Sequence, residues 1–329
     1  MRKNIFVSAH ANGWGVNLYR STMPWSELRR KKEIDIYPTN MVGWDQAAYF
    51  DMGFFSWPNS PQAIQQMGQL RAWGIPIWVD FDDDPWNLPP DNPAAKAYQA
   101  GGEVITAIEQ AAKEADVITV STERLKAVFS QHNKNVQVIP NAFWDTMWPF
   151  SKAPRKKGIL WRGMLGHNKD LESVFPAIVE TIEKYKDWAW VFVGEPDPEL
   201  MKLLPENHIV KVPPQHPQMY MRTLYDMALP ICVVPLLNHE FNRNKSHVSW
   251  LECTAAGTAV LAPSFLEEYR QPGITNYDDP AVDFKEKLWD MIDNWETLDE
   301  RVEKSRWAIG QKYILSQVNK TREKILGLK

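Results

Sequence analysis

Three consecutive aspartates, Asp82, Asp83 and Asp84, follow the strand-like apolar segment IPIWVDF at residues 75–81. Their charges repel one another, and the prolines of the next loop exclude a helix, so a purely structural segment has little use for them. We therefore predict a catalytic cluster that presents a carboxylate as a base, as a stabiliser of positive charge or as a partner for sugar hydroxyls. Turn-capping carboxylates and a metal site are the alternatives.

A second polar group precedes the helix-and-strand segment that ends at residue 263. Asn244, Lys245 and Ser246 come directly before an apolar helical pattern, where Ser246 is a good N-cap and Lys245 adds a positive charge. Free N–H groups at a helix start, together with a lysine, suit a phosphate. Glu252 lies about 10 Å further along the helix, where a carboxylate can accept hydrogen bonds from two ribose hydroxyls. The spacing predicts a nucleotide site.

Basic side chains follow the apolar segment GILWRG at residues 158–163. Arg162 is close to the end of this predicted strand, His167 and Lys169 lie in the loop, and Asp170 can N-cap the next helix. Arginine and lysine beside a helix start form a phosphate site, to which His167 could add a hydrogen bond. We expect these basic residues to bind the same anion as Lys245.

Two glycines follow the first predicted strand. Gly13 and Gly15 permit a tight turn and a close approach of the backbone to a ligand, and we place both in the nucleotide site. Their spacing does not fit GxGxxG, so a dinucleotide fingerprint is not supported, and a structural turn is the alternative.

The other side of the expected cleft is rich in aromatic residues. We assign Trp14, Arg20 and Trp86 to the site of a second substrate, and Trp25, Trp44 and Trp57 occupy similar loop-like positions. Aromatic faces stack on sugars and on nucleobases alike, so these residues leave both classes of substrate open.

Alternating strands and helices must position these side chains. Strands are predicted at 4–9, 75–81, 116–121, 136–140, 158–163, 188–194, 208–212, 230–236 and 258–263, and helices at 60–74, 94–115, 170–185, 216–228 and 246–256. Such alternation is typical of parallel sheets with right-handed crossovers. The fold expected is α/β, with two Rossmann-like doubly wound domains that face a cleft, followed by C-terminal helices.

Composition limits the function classes. The 329 residues fit two domains, and the net charge is −4, which argues against a general electrostatic grip on nucleic acid or anionic lipid. No apolar stretch approaches the roughly 20 residues that span a membrane, and the first residues are too polar for a signal peptide. Cys232 and Cys253 read as buried free thiols, so we expect a cytoplasmic protein.

The segment ECTAAGTAV at residues 252–260 resembles the E-x-x-A-x-G-x-P-V signature of retaining glycosyltransferases with the GT-B fold, of the group 1 or family 4-like type. Residues 115–144, 160–174 and 229–236 are similar to three other segments of that family, in the same order. Small bacterial and phage enzymes have this overall pattern. The chain departs from it at Asn244, where the family has a second glutamate, and at His167, where it has lysine.

The resemblance implies an N-terminal acceptor-binding domain (1–150) and a C-terminal domain (151–329) that binds a UDP- or GDP-sugar, and the final helices could pack back on the first domain. It implies that Glu252 binds the ribose, that basic residues hold the diphosphate, and that neither a cofactor nor a metal is obligatory. We expect transfer, with retention, to a saccharide, lipid-linked or small-molecule acceptor. Alternatives are a DNA-modifying enzyme that acts on a hydroxymethylated base, a nucleotide-sugar epimerase and a non-catalytic binding protein.

Overall fold

Two parallel sheets of six strands each form the centres of two α/β domains. The computed structural model describes residues 2–9, 14–31, 34–38, 48–151 and 155–328. Helices flank both sheets, and three helices follow the last strand, which confirms the fold class predicted from the sequence. None of the described helices is both long and apolar enough to cross a membrane.

The first sheet has the strand order β2-β1-β3-β4-β5-β6. Its strands are β1 (Lys3–Ser8), β2 (Ile34–Pro38), β3 (Met52–Ser56), β4 (Ile77–Phe81), β5 (Val117–Val120) and β6 (Val136–Val138). Its helices are α1 (Trp14–Asn17), α2 (Met23–Arg30), α3 (Pro61–Ala72), α4 (Glu103–Glu114) and α5 (Glu123–Phe129). Chain order reverses between β1 and β3, and ligands of such sheets bind beyond the carboxyl ends of the strands at that point.

The second sheet has the order β12-β11-β10-β7-β8-β9. Its strands are β7 (Gly158–Gly163), β8 (Ala189–Gly194), β9 (Ile209–Val212), β10 (Ile231–Val233), β11 (Ala259–Pro263) and β12 (Thr275–Tyr277). The helices are α6 (Asn168–Ser173), α7 (Phe175–Lys184), α8 (Pro198–Lys202), α9 (Pro217–Met227), α10 (Glu240–Arg243), α11 (Val248–Ala255), α12 (Phe284–Asp293), α13 (Leu298–Lys312) and α14 (Leu315–Ile325). Its order reverses between β7 and β10, as in dinucleotide-binding folds.

Three strands were not predicted from the sequence: β2, β3 and β12. Each has five residues or fewer, and β3 contains a glycine, which weakens the pattern that marks a strand. The glycine has a packing reason, because a Cβ atom at Gly53 would lie 2.5 Å from Leu70 Cδ1 of helix α3. The predicted helices also shorten, since 94–115 forms a helix only from Glu103, and 170–185 divides into α6 and α7.

The last helix of the chain packs on the first domain. Helix α14 lies against α2, where the Asn319 side-chain amide donates to the Pro24 carbonyl at 3.1 Å and Glu323 pairs with Lys31 at 2.8 Å. Arg322 of the same helix is fully buried, and burial, together with the charge of Arg20, lowers its pKa to about 9. The C-terminal helices therefore hold the first domain against the second.

Candidate functional site

A cavity of about 170 Å³ opens where the carboxyl ends of the two sheets face each other. On the second domain it is bordered by the ends of β7 and β10, the two strands between which the sheet order reverses. Six of the residues predicted to form a site line it: Asp82, Asp83, Arg162, His167, Lys245 and Ser246. Residues from both domains, as far apart in sequence as Asp82 and Ser246, thus meet in one place.

The three aspartates have different environments. Asp84 is fully buried and accepts hydrogen bonds from the Trp86 backbone N–H, the Asn87 side chain and the Asn244 side chain. Asp83 accepts from Lys245 Nζ at 2.8 Å through Oδ2 and from the Asp84 backbone N–H at 3.1 Å through Oδ1. The Asp84 carboxylate is thus occupied within the fold, as in the turn-capping alternative, whereas Asp82 and Asp83 line the cavity.

Asp82 has no hydrogen-bond or ion-pair partner for its carboxylate among the described residues. Burial raises its pKa to about 7, and the neighbouring negative charge of Asp83 adds to the rise, while Arg20 and Lys245 oppose it. A carboxyl group with such a pKa changes its charge near neutral pH, which suits a group that accepts a proton during a reaction.

The segment from Asn244 to Ser246 joins the two domains. The Asn244 side-chain amide donates to Asp84 at 2.7 Å, and Ser246 Oγ accepts from the Asn141 side chain at 2.8 Å. Lys245 Nζ lies between Asp83 and the ring of Phe241, 4.1 Å from the ring centroid. This segment therefore stands where the cleft closes.

Two predicted helix caps are wrong. Helix α11 begins at Val248 with His247 at the N-cap, so Ser246 lies before the helix and bonds across the domains instead. Asp170 lies inside α6, where its carboxylate accepts from the Leu237 backbone N–H and the Asn242 side chain. In both cases a partner distant in sequence occupies the polar side chain.

Arg162 and Glu252 form an ion pair at the back of the cavity. Arg162 Nη2 lies 2.9 Å from Glu252 Oε2, and its Nη1 donates to Ser249 Oγ at 2.6 Å. Burial disfavours the charged guanidinium, but the Glu252 carboxylate, together with smaller contributions from Tyr220, Cys253 and Tyr269, outweighs it and raises the pKa of Arg162 well above its ordinary value. A permanent positive charge thus lines the cavity beside the hydroxyl of Ser249.

Glu252 itself is buried behind the cavity wall, 4% exposed. Tyr19 of the first domain donates to its Oε1 at 2.8 Å, and Tyr220 donates to its Oε2 at 3.1 Å. Burial, and for Tyr19 also the adjacent Glu252 charge, raises the pKa of both phenols well above the ordinary value, so they remain donors. Three donors, Tyr19, Tyr220 and Arg162, thus already surround this carboxylate.

His167 lies at the mouth of the cavity. Its Nδ1 is 2.9 Å from Asp170 Oδ2, which fixes the ring and leaves Nε2 for a ligand. Lys169, in contrast, pairs with Glu172 at 2.6 Å and is more than half exposed, and it does not line the cavity. The structure thus brings His167, but not Lys169, to Arg162.

A second cavity of about 230 Å³ adjoins the first on the side of the N-terminal domain. The two share three lining residues: Asp83, His167 and Lys245. The remaining wall of the second cavity is mainly aromatic and apolar, with Trp57, Leu88, Ala94, Tyr98, Met164 and Phe241. Two ligands can therefore lie side by side and meet at the shared residues.

Two of the three acceptor residues expected from the sequence, Arg20 and Trp86, lie outside both cavities. Arg20 is fully buried and holds Asp80 through two hydrogen bonds of 2.8 Å, so no acceptor in the cleft can reach it. Trp86 stacks on His132 at 4.4 Å and lines neither cavity. Both side chains are committed to packing within the first domain.

Most of the loop between β1 and α1, which contains Gly13, lies outside the described residues. Gly13 and Trp44 fall outside the described residues, as does the side chain of Trp14. Gly15 lies in helix α1, exposed, and lines neither cavity. Among the described residues, no group of three or more His, Cys, Asp or Glu side chains is arranged to hold a metal ion. Both cysteines are buried free thiols, as expected.

Sequence reasoning missed four residues that build the site: Tyr19, Tyr98, Tyr220 and Ser249. The tyrosines come from helical or turn segments whose periodicity gave no signal of function. Ser249 lies three residues before Glu252, on the same face of α11, so helical spacing from that glutamate could have found it.

No protein-family model and no curated protein matches the sequence. Solved structures that it resembles include HepE of Anabaena with UDP and glucose, at 12% identity and a TM-score of 0.68, over 99% of this chain and 100% of that chain. An α-glucosyltransferase with UDP and a DNA 13-mer that contains an HMU base matches at 12% identity, TM-score 0.66, 99% and 100%.

A glycosyltransferase from Rickettsia africae is also similar, at 13% identity and a TM-score of 0.65, over 99% of this chain and 98% of that chain. Such low identities with such complete coverage establish the architecture and nothing finer. The chain has the GT-B fold of these glycosyltransferases.

Proposed function

We propose that the protein is a glycosyltransferase that moves a sugar from a UDP-sugar to a hydroxyl group of an acceptor. The observation that carries the proposal is the pair of adjoining cavities, one with cations and one with an aromatic wall, at the carboxyl ends of two facing parallel sheets. The choice of uridine follows the UDP in the structures that share this fold.

The first cavity suits the diphosphate of such a donor. Arg162, Lys245 and Ser249 can each donate hydrogen bonds to phosphate oxygens, and the two cations balance the charge of the leaving diphosphate. Glu252 lies directly behind Arg162, where ribose hydroxyls would replace Tyr220 as its donors. The sugar then lies at the shared residues, Asp83 and His167.

Donor binding changes the partners of both cations. Lys245 is neutralised by Asp83 in the ligand-free protein, so a diphosphate oxygen that binds Lys245 takes the place of the Asp83 carboxylate. Asp83 is then free to accept hydrogen bonds from hydroxyls of the donor sugar. The diphosphate therefore adds negative charge to a cleft that keeps the Asp83 carboxylate.

The transfer step needs a proton acceptor beside the acceptor hydroxyl. The hydroxyl oxygen forms a bond to the anomeric carbon, the bond from that carbon to the diphosphate oxygen breaks, and the hydroxyl proton passes to a base. Asp82 is our assignment for this base, because its carboxylate is unpaired and its pKa is about 7. Attack from the face that the diphosphate leaves would give retention, the outcome we propose.

A labelled donor tests this function. The protein is incubated with UDP-glucose, UDP-galactose or UDP-N-acetylglucosamine carrying a labelled sugar, together with neutral glycosides, bacterial glycan fractions or hydroxymethylated DNA. We expect label in an acceptor and stoichiometric release of UDP. Bound donor without transfer would indicate a binding protein, and an inverted sugar on UDP without an acceptor would indicate an epimerase.

A further inference from the structure

We propose that the second cavity, defined here as the space between Trp57, Tyr98, Met164 and Phe241, binds an uncharged pyranoside as acceptor and excludes phosphorylated or polyanionic acceptors. This inference rests on the proposed function and adds the chemical class of the second substrate. It also replaces the acceptor residues expected from the sequence with a different set.

The shape and chemistry of the wall of the second cavity favour a sugar ring. The rings of Trp57, Tyr98 and Phe241 border one space together with Leu88 and Met164. Flat apolar rings pack against the C–H faces of a sugar ring, while the side-chain NH2 group of Asn92 is available for its hydroxyls, as is the carboxylate of Asp83 once the donor has displaced it from Lys245. The cavity adjoins the donor cavity and shares three lining residues with it. An acceptor hydroxyl bound there therefore lies next to the donor sugar.

The charge of the wall disfavours a phosphorylated acceptor. His167 and Lys245 are the basic side chains that line the cavity in the described part of the chain, and both already face carboxylates, Asp170 and Asp83. Phosphate recognition relies on free arginine or lysine side chains. Once the donor diphosphate has engaged Lys245, the carboxylates of Asp83 and Asp82 remain nearby and repel a second anion.

Trp57 is held rigidly in an energetically costly backbone conformation. Its φ is 54°, in the left-handed region that a bulky side chain rarely adopts. Its backbone N–H donates to the Asp80 carbonyl at 2.9 Å, and its indole N–H donates to the Tyr98 hydroxyl at 2.9 Å. A strained tryptophan that is fixed from both ends at the end of β3 is a preorganised surface for a ligand.

Acceptor competition tests the inference. The acceptors are methyl α-D-gluco-, galacto- and mannopyranoside, their 6-phosphates, and a duplex oligonucleotide with hydroxymethyluracil, each with the UDP-sugar panel above. We expect a neutral pyranoside to be glycosylated with a KM about tenfold or more below that of its 6-phosphate. Preference for a phosphate or for DNA overturns the inference, and so does donor turnover with no neutral pyranoside modified.

Two variants assign the effect to this cavity. Tyr98→Phe removes the hydroxyl that holds the Trp57 indole, so the acceptor KM should rise about tenfold while the KM of the UDP-sugar stays unchanged. Asn92→Lys adds a cation and should narrow the gap between neutral and phosphorylated acceptors. Trp73→Phe, at an exposed tryptophan outside the cavity, is the matched control.

Unchanged acceptor kinetics in Tyr98→Phe, with the fold intact by circular dichroism, overturn the inference even if the enzyme is active. Calorimetry with UDP separates this result from failure of the proposed function. If UDP does not bind at all, the donor site and the acceptor assignment that depends on it are both wrong. If UDP binds and only the acceptor results fail, the proposed function stands and the acceptor class is wrong.

Discussion

Asp82 differs from its two neighbours because its carboxylate has no partner among the described residues, and because burial raises its pKa to about 7. If it accepts the proton of the acceptor hydroxyl, only its ionised form is active, so turnover should increase between about pH 6 and 8 and then level off. Asp82→Asn should remove this dependence and lower kcat by about 100-fold. A pH profile of kcat for both proteins is the measurement, and Asp83→Asn shows whether the adjacent carboxylate shares the role. An equally active Asp82→Asn would exclude the base.

The same carboxyl group makes the folded protein less stable at neutral pH. Its folded pKa of about 7 exceeds that of an unfolded aspartate, about 3.9. Between these values the folded protein keeps a proton that the unfolded chain loses, so the contribution of Asp82 to the free energy of unfolding falls as the pH rises. Asp82→Asn should therefore raise Tm, and by more at pH 8 than at pH 4.5. Equal Tm changes at both pH values would contradict the raised pKa.

Glu252 is predicted to exchange a tyrosine for the ribose. Glu252→Ala should weaken UDP binding by about 1–3 kcal/mol, since it removes the charged acceptor for the ribose hydroxyls and the contact that orients the Arg162 guanidinium. Tyr220→Phe should leave the affinity unchanged or increase it, because Oε2 then keeps only its bond to Arg162 and can accept a second one from the ligand. Titration calorimetry with UDP measures both. A large loss in Tyr220→Phe would show that the tyrosine stays bound to Glu252 when the nucleotide enters.

The loop between α10 and α11 belongs to the second domain and forms hydrogen bonds with residues of the first domain. Thr122 caps helix α5 by accepting from the Leu125 N–H at 3.1 Å, and its hydroxyl donates to the Asn244 carbonyl at 3.2 Å. The loop after β4 approaches the same residue through Asp84. Asn244 thus occupies the position of the glutamate expected from the resemblance, but it is fully buried and bonds between domains.

We predict that Asn244→Ala lowers the free energy of unfolding of the two-domain protein. It leaves the buried Asp84 carboxylate with one donor fewer, at a cost of about 1–3 kcal/mol in the free energy of unfolding. Asn238→Ala, at an exposed asparagine that bonds Arg243, is the matched control and should cost much less. Urea unfolding curves compare the two. Equal midpoints for both variants would show that the interdomain bond contributes nothing.

Local pattern predicted most of the elements but not all of the contacts between them. Strands such as β7 could be read from their apolar runs, while β3 could not, because Gly53 is explained only by the approach of Leu70. Arg20 looks like a ligand-binding residue until its partner Asp80, 60 residues away on strand β4, is known. Long-range pairing of polar side chains is what the sequence leaves open.

The two domains together define the site, since the aspartates come from one and the cations from the other. Four polar or charged cavity residues of the second domain were predicted from nearby strand ends and loops: Arg162, His167, Lys245 and Ser246, although Ser246 is not the helix cap expected. The aromatic cavity was not, because Trp57 and Tyr98 are 41 residues apart and meet only in the fold. We therefore claim that the donor binds in the cleft between the two domains.

A crystal structure with UDP bound tests that claim most directly. We predict that the diphosphate lies within hydrogen-bond distance of Arg162 and Lys245, that the ribose contacts Glu252, and that the 2.8 Å bond between Lys245 and Asp83 is broken. The second cavity should remain open beside it. UDP bound outside the cleft, or bound in it with the Lys245–Asp83 pair intact and Glu252 uncontacted, would contradict the account.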